Sequence, residues 1–284
     1  MRDKPYYSVR TGKHPTGTRL DLNLLRRMFV ALFADFERRC YFQQGLGYEC
    51  VDQGKVPGTA GDDVEAYVLR KLKKDHVWPI HENRDLLSEN DVFDLIEFLF
   101  DHVSKPIDGQ YHSFASCGWH YNTFDQEGGR AEFRPQINEI LRDYRDGYEL
   151  SPNGEILTLP GAELAPLLAA KLPAVDQPEN VQGRVAAATL KFRSRNASDA
   201  DRRDAIRDLA DVLEYLRPRL KGVLVSKDEQ DLFNIVNNFG IRHHNQQQKV
   251  HYDTAVWYSW MFYFFLATIH AAVGLLAKPV GKPA

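Results

Sequence analysis

The chain has 284 residues, of which 43% are hydrophobic and 26% are charged, and this balance is typical of a folded globular protein. Its formal net charge of -3 argues against a surface covered in basic residues for non-specific binding to nucleic acid. Three cysteines without a Cys-x-x-Cys pair fit a reducing compartment better than a disulfide-stabilised secreted domain. The first residues are polar and lack the apolar stretch of a signal peptide, so we expect a cytoplasmic protein.

Apolar residues at helical spacing predict three helices in the first hundred residues. The first covers about residues 21–41. The second begins after Asp62, which we expect to cap it together with Glu65. The third begins at Ser88 and ends before Pro106. We expect these helices to build the core and not a functional site.

Residues 106–134 contain glycines and aromatics without a clear period, and they predict irregular structure. A helix is expected to begin at Pro135, because proline is tolerated in a first helical turn. A β-hairpin is expected over residues 147–159, around a type I turn at 151–154. A short helix followed by a hairpin outlines either a winged-helix element or a structural connector, and we favour the connector.

The composition changes after the hairpin, where prolines punctuate the chain from residue 160 to residue 178. This stretch predicts a proline-rich linker at 166–180, between an N-terminal helical domain of unknown role (1–165) and a C-terminal helical domain (181–284). We expect four helices in the second domain, over 181–195, from 198 to Pro218, over 227–239 and from Ala255 onward. The fold class is therefore mainly α, with one small hairpin and a C-terminal four-helix bundle.

The last predicted helix carries no charged residue from Ala255 to Ala277 and is long enough to span a bilayer. Its tryptophans and tyrosines run into the middle of the segment, whereas membrane helices concentrate them at the two interfaces. We therefore expect a helix buried in the bundle or in a subunit interface, and no membrane contact. A tail anchor at 255–277 is the alternative.

A polar cluster lies between the last two predicted helices. Arg242 suits phosphate geometry, and the histidines near it can take or give a proton close to neutral pH. Together these groups are able to bind a phosphodiester, activate a hydroxyl and stabilise the developing charge. The alternative is a solvated loop whose histidines only cap helix ends. The cluster consists of Arg242, His243, His244, Asn245, Lys249 and His251.

The run from Asn238 to Asn245, with Trp257-Tyr258-Ser259-Trp260 after it, resembles the C-terminal bundle of the HEPN superfamily, and in particular that of abortive-infection proteins. The resemblance covers about residues 180–277. It implies a defence-associated, metal-independent endoribonuclease that dimerises through this bundle, with Arg242 holding the phosphate. His251 lies further from Arg242 than the family pattern places its histidine, so either His251 or His244 would be the catalytic one.

We also expect His243, Asn245 and Lys249 of this cluster to take part in binding, and the resemblance implies RNA as the partner of a homodimer. Many HEPN bundles are inactive, so the alternative is a module that binds RNA, a nucleotide or a protein without turnover. The sequence leaves open whether the protein is an enzyme.

One further group raises the question of zinc. His112, Cys117 and His120 lie close together in the sequence, but structural zinc needs four ligands. No convincing fourth ligand lies nearby, although Cys50 could come from elsewhere in the chain. We therefore predict no metal and no cofactor.

Overall fold

The computed structural model describes residues 7–11, 19–161, 164–173, 177–220 and 253–277. Within them the chain is mainly α-helical, as the sequence predicts, and its strands form two-stranded antiparallel hairpins. It divides into two compact units, residues 1–159 and 160–284. The division comes directly after the last strand, a few residues before the predicted linker.

The first unit begins with helices and then alternates short hairpins with longer helices. Its helices are α1 (Tyr7–Arg10), α2 (Leu22–Arg38), α3 (Gln43–Leu46), α4 (Val64–Leu72), α5 (Ile80–Asn83), α6 (Glu89–His102) and α7 (Gln126–Arg142). Its strands are β1 (Tyr48–Cys50), β2 (Gly54–Val56), β3 (Lys105–His112), β4 (Gly118–Asp125), β5 (Tyr148–Leu150) and β6 (Ile156–Thr158). β1 pairs with β2, β3 with β4 and β5 with β6.

Helices α2, α6 and α7 surround the core of the first unit. Leu25 and Phe36 of α2, Leu95 of α6 and Phe133 of α7 are all fully buried. The Phe36 and Phe133 rings meet edge to face, with their centroids 5.2 Å apart, which is a favoured geometry for aromatic pairs. The three-residue and four-residue spacing of the apolar positions in these helices produces the buried faces.

The predicted N-terminal cap of α6 is confirmed, whereas that of α4 is not. Ser88 caps α6, and the capping box is completed by Asp91, whose carboxylate accepts from the Ser88 backbone N–H. For α4 the predicted cap was wrong by one residue. Asp63, and not Asp62, accepts the hydrogen bond from the Ala66 backbone N–H, at 2.9 Å. Adjacent aspartates give the same local pattern, so the sequence did not distinguish them.

The prediction of irregular structure over 106–134 was wrong. β3 and β4 form the longest hairpin, and α7 begins at Gln126 with Asp125 as its cap. Pro135 therefore lies inside α7 and not in its first turn. Irregular pairing between Pro106 and Gly109 breaks the two-residue alternation that reveals a strand.

The predicted hairpin at 147–159 is confirmed by β5 and β6. The buried Asn138 side chain of α7 holds it in place. Its amide nitrogen donates to the Leu150 carbonyl at 3.1 Å, and its amide oxygen accepts from the Leu150 N–H at 2.6 Å.

The second unit contains α8 (Ala165–Ala169), a π-helical turn (Glu179–Gly183), α9 (Arg184–Arg193), α10 (Asp199–Leu220) and α11 (Thr254–Leu276). Helix α10 packs against both α9 and α11. Its apolar stripe, including Ile206, Leu209 and Leu213, is completely buried. The helix was predicted to end before Pro218, but it continues through this residue to Leu220. The predicted helix at 227–239 lies outside the described residues.

The uncharged segment forms α11, and its central residues lie in the core of the second unit. Met261, Phe262, Phe265 and Ile269 are completely buried, and the Phe262 ring stacks on Phe192 at 4.0 Å. Among the described residues, Val256–Leu276 is the one stretch long and apolar enough to cross a membrane, and 39% of it is buried within the protein.

Candidate functional site

All six predicted site residues, Arg242, His243, His244, Asn245, Lys249 and His251, lie outside the described residues. The first residue after them that the structure describes is Asp253, the cap of α11. His251 precedes Thr254, the first residue of α11, by three positions in the sequence. The surroundings of the α11 N-terminus therefore bear directly on the predicted site.

Helices α10 and α11 begin at the same end of the second unit. The Thr254 hydroxyl, in the first turn of α11, donates to an Asp199 carboxylate oxygen in the first turn of α10, at 2.8 Å. The two helices have 22 and 23 residues. Because the N-terminus of a helix carries a partial positive charge, two such charges lie side by side at this end.

Arginines concentrate at the same end, which we call the basic end, defined by Arg193, Arg195, Arg202 and Arg203. Arg193 ends α9, Arg195 lies in the connection to α10, and the other two lie in the first turns of α10. From Lys191 to Arg203 the sequence contains five basic residues and two acidic ones. Arg193 is buried, with 8% of its surface exposed.

Several acidic residues at the basic end form local hydrogen bonds. Ser198 and Asp201 form a reciprocal cap for α10, in which each side chain accepts from the other residue's backbone N–H. The Ser198 side-chain and backbone hydrogen bonds hold the pKa of Asp201 below its ordinary value. The Asp253 side chain accepts from the Val256 N–H at 3.2 Å and caps α11. Asp201 therefore helps to fix the start of α10, which carries Arg202 and Arg203, and Asp253 fixes the start of α11.

A second cluster lies in the first unit, where Cys50, His112, Cys117 and His120 meet. Their ligand atoms all lie within 4.8 Å of one another. The Cys117 Sγ is 3.1 Å from the His120 Nε2, and the Cys50 Sγ is 3.8 Å from the His112 Nδ1. No fourth ligand lies nearby in the sequence, but folding brings Cys50 to the other three, which is the alternative that the sequence left open.

The sequence did not show that Cys50 joins this cluster, because Cys50 is 62 residues away from His112. β1 carries Cys50 to the β3–β4 hairpin, which we predicted to be irregular. Two signals were present in the sequence. Cys117 and His120 have the short spacing of a metal-ligand pair, and Gln110/His112 and His120/Asn122 alternate as on one face of two strands.

No protein-family model matches the chain, and neither a curated protein nor a solved structure has significant similarity to it.

Proposed function

We propose that the second unit is a HEPN-like four-helix bundle that acts on RNA, in a defence-associated, abortive-infection-like protein of the cytoplasm. The basic end beside the start of α11 is the observation that supports this proposal. It places the arginines of α9 and α10 at the end where α11 begins, three residues after His251. A phosphodiester backbone is the ligand that arginines and helix N-termini favour.

The directions of the described helices support a bundle with a fourth member. α10 has 22 residues and is about 33 Å long. Since α10 and α11 begin at the same end, the chain between Leu220 and Asp253 has to return along that length. We propose that the helix predicted over 227–239 makes this return and brings Arg242 to the basic end.

The proposed reaction is transesterification of RNA. The 2'-hydroxyl of a ribose attacks the adjacent phosphorus, and the bond to the 5'-oxygen of the next nucleotide breaks. His251 or His244 takes the hydroxyl proton or supplies one to the leaving oxygen, and Arg242 stabilises the charge on the phosphate. The products are a 2',3'-cyclic phosphate and a 5'-hydroxyl. His243, Asn245 and Lys249 contact the RNA, and a second copy of the bundle completes the site.

A cleavage assay tests the proposal. The protein, its Arg242→Ala variant and an Arg27→Ala control are incubated with mixed cellular RNA in EDTA, and the product ends are mapped. Arg27 is an exposed residue of α2 in the first unit. We expect cleavage by the parent and the control, at least about 100-fold slower cleavage by Arg242→Ala, and cyclic phosphate ends. Equal cleavage by all three proteins would contradict the roles given to this site.

The same basic end favours a second candidate, a bundle that binds RNA without cleaving it. Binding needs the arginines but not a correctly spaced histidine. This candidate predicts that RNA remains intact in the assay while the protein still retards it in a native gel. The Arg242→Ala variant would then bind RNA more weakly than the Arg27→Ala control.

A further inference from the structure

The β3–β4 hairpin protrudes from the first unit without a core of its own. From Lys105 to Gly128, all within the described part of the chain, not one residue is buried. The neighbouring β1–β2 hairpin also has almost no core, since Cys50 is its only buried residue. An isolated two-stranded hairpin is marginally stable in water, and small structures with little core usually need a metal or a disulfide. The three cysteines are free thiols.

The four side chains that meet between these two hairpins are the ones that bind metals. Cys50 ends β1, His112 ends β3, Cys117 follows in the turn, and His120 lies in β4. We propose that these four residues bind one zinc ion, which joins the two hairpins. This site lies in the first unit and goes beyond the function proposed for the second.

Two of the distances between ligand atoms are close to those around a tetrahedral zinc ion. Zinc binds thiolate sulfur at about 2.3 Å and imidazole nitrogen at about 2.0 Å, so adjacent ligand atoms lie roughly 3.3–3.8 Å apart. The two sulfur-to-nitrogen distances of 3.1 and 3.8 Å lie at or close to this range. Two thiolates and two imidazoles form a donor set typical of structural zinc.

The surroundings select the ligand nitrogen of each histidine. The His112 Nε2 lies 3.1 Å from an Asp52 carboxylate oxygen, an ion-pair distance that turns this nitrogen toward Asp52. The Nδ1 that faces Cys50 is then free to bind the metal. Carboxylates commonly orient zinc-bound histidines in this way. The His120 ring packs against Tyr48, with centroids 4.6 Å apart, and its Nε2 faces Cys117.

The turn that carries Cys117 contains two residues with an unfavourable backbone conformation. Ala115 and Ser116 both have positive φ, 46° and 59°, a region that residues with a side chain rarely adopt. Such conformations persist where the surroundings enforce them. A metal bound by Cys117 on one side of this turn and by His112 on the other would enforce it. Because all four positions are filled by side chains, the zinc has a structural role and not a catalytic one.

Metal content and cobalt substitution test the proposal on the full chain. The protein is purified from zinc-supplemented cells, dialysed, and analysed for bound metals; apoprotein is then titrated with Co²⁺ and followed by absorption. The variants are Cys117→Ser, Asp52→Asn and the control Cys40→Ser, which changes the cysteine outside the cluster. Asp52 is exposed, so its variant is expected to fold, and it tests the positioning role separately.

We expect about one zinc ion per chain in the parent and in Cys40→Ser. The cobalt form should show thiolate charge transfer and the intense visible bands of a tetrahedral ion. Cys117→Ser should lose these bands, and Asp52→Asn should bind zinc roughly 10–100-fold more weakly. A parent chain without tightly bound zinc, an octahedral cobalt spectrum, or equal loss of metal in Cys40→Ser would overturn the proposal. Stoichiometric iron in place of zinc would overturn the identity of the metal.

Discussion

At the residue scale, one buried carboxylate fixes the start of α6. Asp91 is 3% exposed, and it forms an ion pair with Lys74 at 2.7 Å. It also accepts from the Ser88 N–H at 2.7 Å and lies 3.1 Å from the His76 Nε2. Burial disfavours its ionised form, but the hydrogen bonds from Lys74, Ser88 and His76 outweigh burial and hold the pKa of Asp91 well below its usual range.

Asp91→Asn should destabilise the first unit. An amide keeps the shape of the side chain but cannot pair with Lys74, and breaking a buried ion pair on one side costs about 3 kcal/mol. Urea denaturation should show this loss in the free energy of unfolding. Asp62→Asn is the matched control, because Asp62 is exposed and does not cap α4. Equal stability of the two variants would show that the ion pair contributes nothing.

The depressed carboxyl pKa values predict a loss of stability in acid. The hydrogen bonds from Lys105 and Tyr41 lower the pKa of Glu132 to about 2, and the pKa of Asp91 is lowered as well. Groups with a lowered folded-state pKa stabilise the protein above their unfolded values of about 3.9 and 4.3 and lose this effect as the pH falls. Unfolding by urea should therefore become easier from about pH 5 down to about pH 2. The double variant Asp91→Asn/Glu132→Gln should show a flatter profile, and an unchanged profile would contradict the assignment.

At the element scale, the β3–β4 hairpin depends on one close approach between its strands. A Cβ at Gly109 would lie 2.4 Å from the His120 carbonyl oxygen and 2.8 Å from the Tyr121 Cα. Both are backbone atoms, which cannot move without displacing β4. A glycine within a strand often marks such a contact. The position of His120, and therefore the geometry of the cysteine and histidine cluster, depends on Gly109.

Gly109→Ala should weaken zinc binding while the helices remain folded. We expect a several-fold higher zinc dissociation constant in a competition titration, with an unchanged far-ultraviolet helical signal, because the displaced strand carries one ligand. Gly274→Ala is the control, since a Cβ there would meet no atom within 4 Å. If both variants bound zinc as tightly as the parent, the hairpin would not be the element that positions His120.

Helices were predicted correctly where the helical spacing of apolar residues continues over several turns. Helices α2, α6 and α10 have apolar stripes of this kind, and the Ser88 cap marked a start correctly. β3 and β4 were missed because they bury no core face and therefore lack an apolar alternation. Of the candidate sites, three of the four cluster ligands were noted together, but the contribution of Cys50 depends on tertiary pairing that no local pattern encodes.

At the scale of the whole molecule, the two units contain clusters of different side-chain types. The first contains the cysteine and histidine cluster, held by hairpins that bury almost nothing. The second contains the basic end, where the N-termini of two helices and four arginines lie together. We therefore propose a structural metal for the first unit and RNA for the second, and each proposal can fail without the other.

The most direct test of this account is photo-crosslinking of RNA to the full chain, followed by identification of the crosslinked peptides. It reports where RNA lies whether or not the protein cleaves it. We predict crosslinks in the segments 191–203 and 240–254, which adjoin the start of α11, and none in the first unit. Crosslinks confined to residues 1–159 would contradict the assignment of RNA to the second unit.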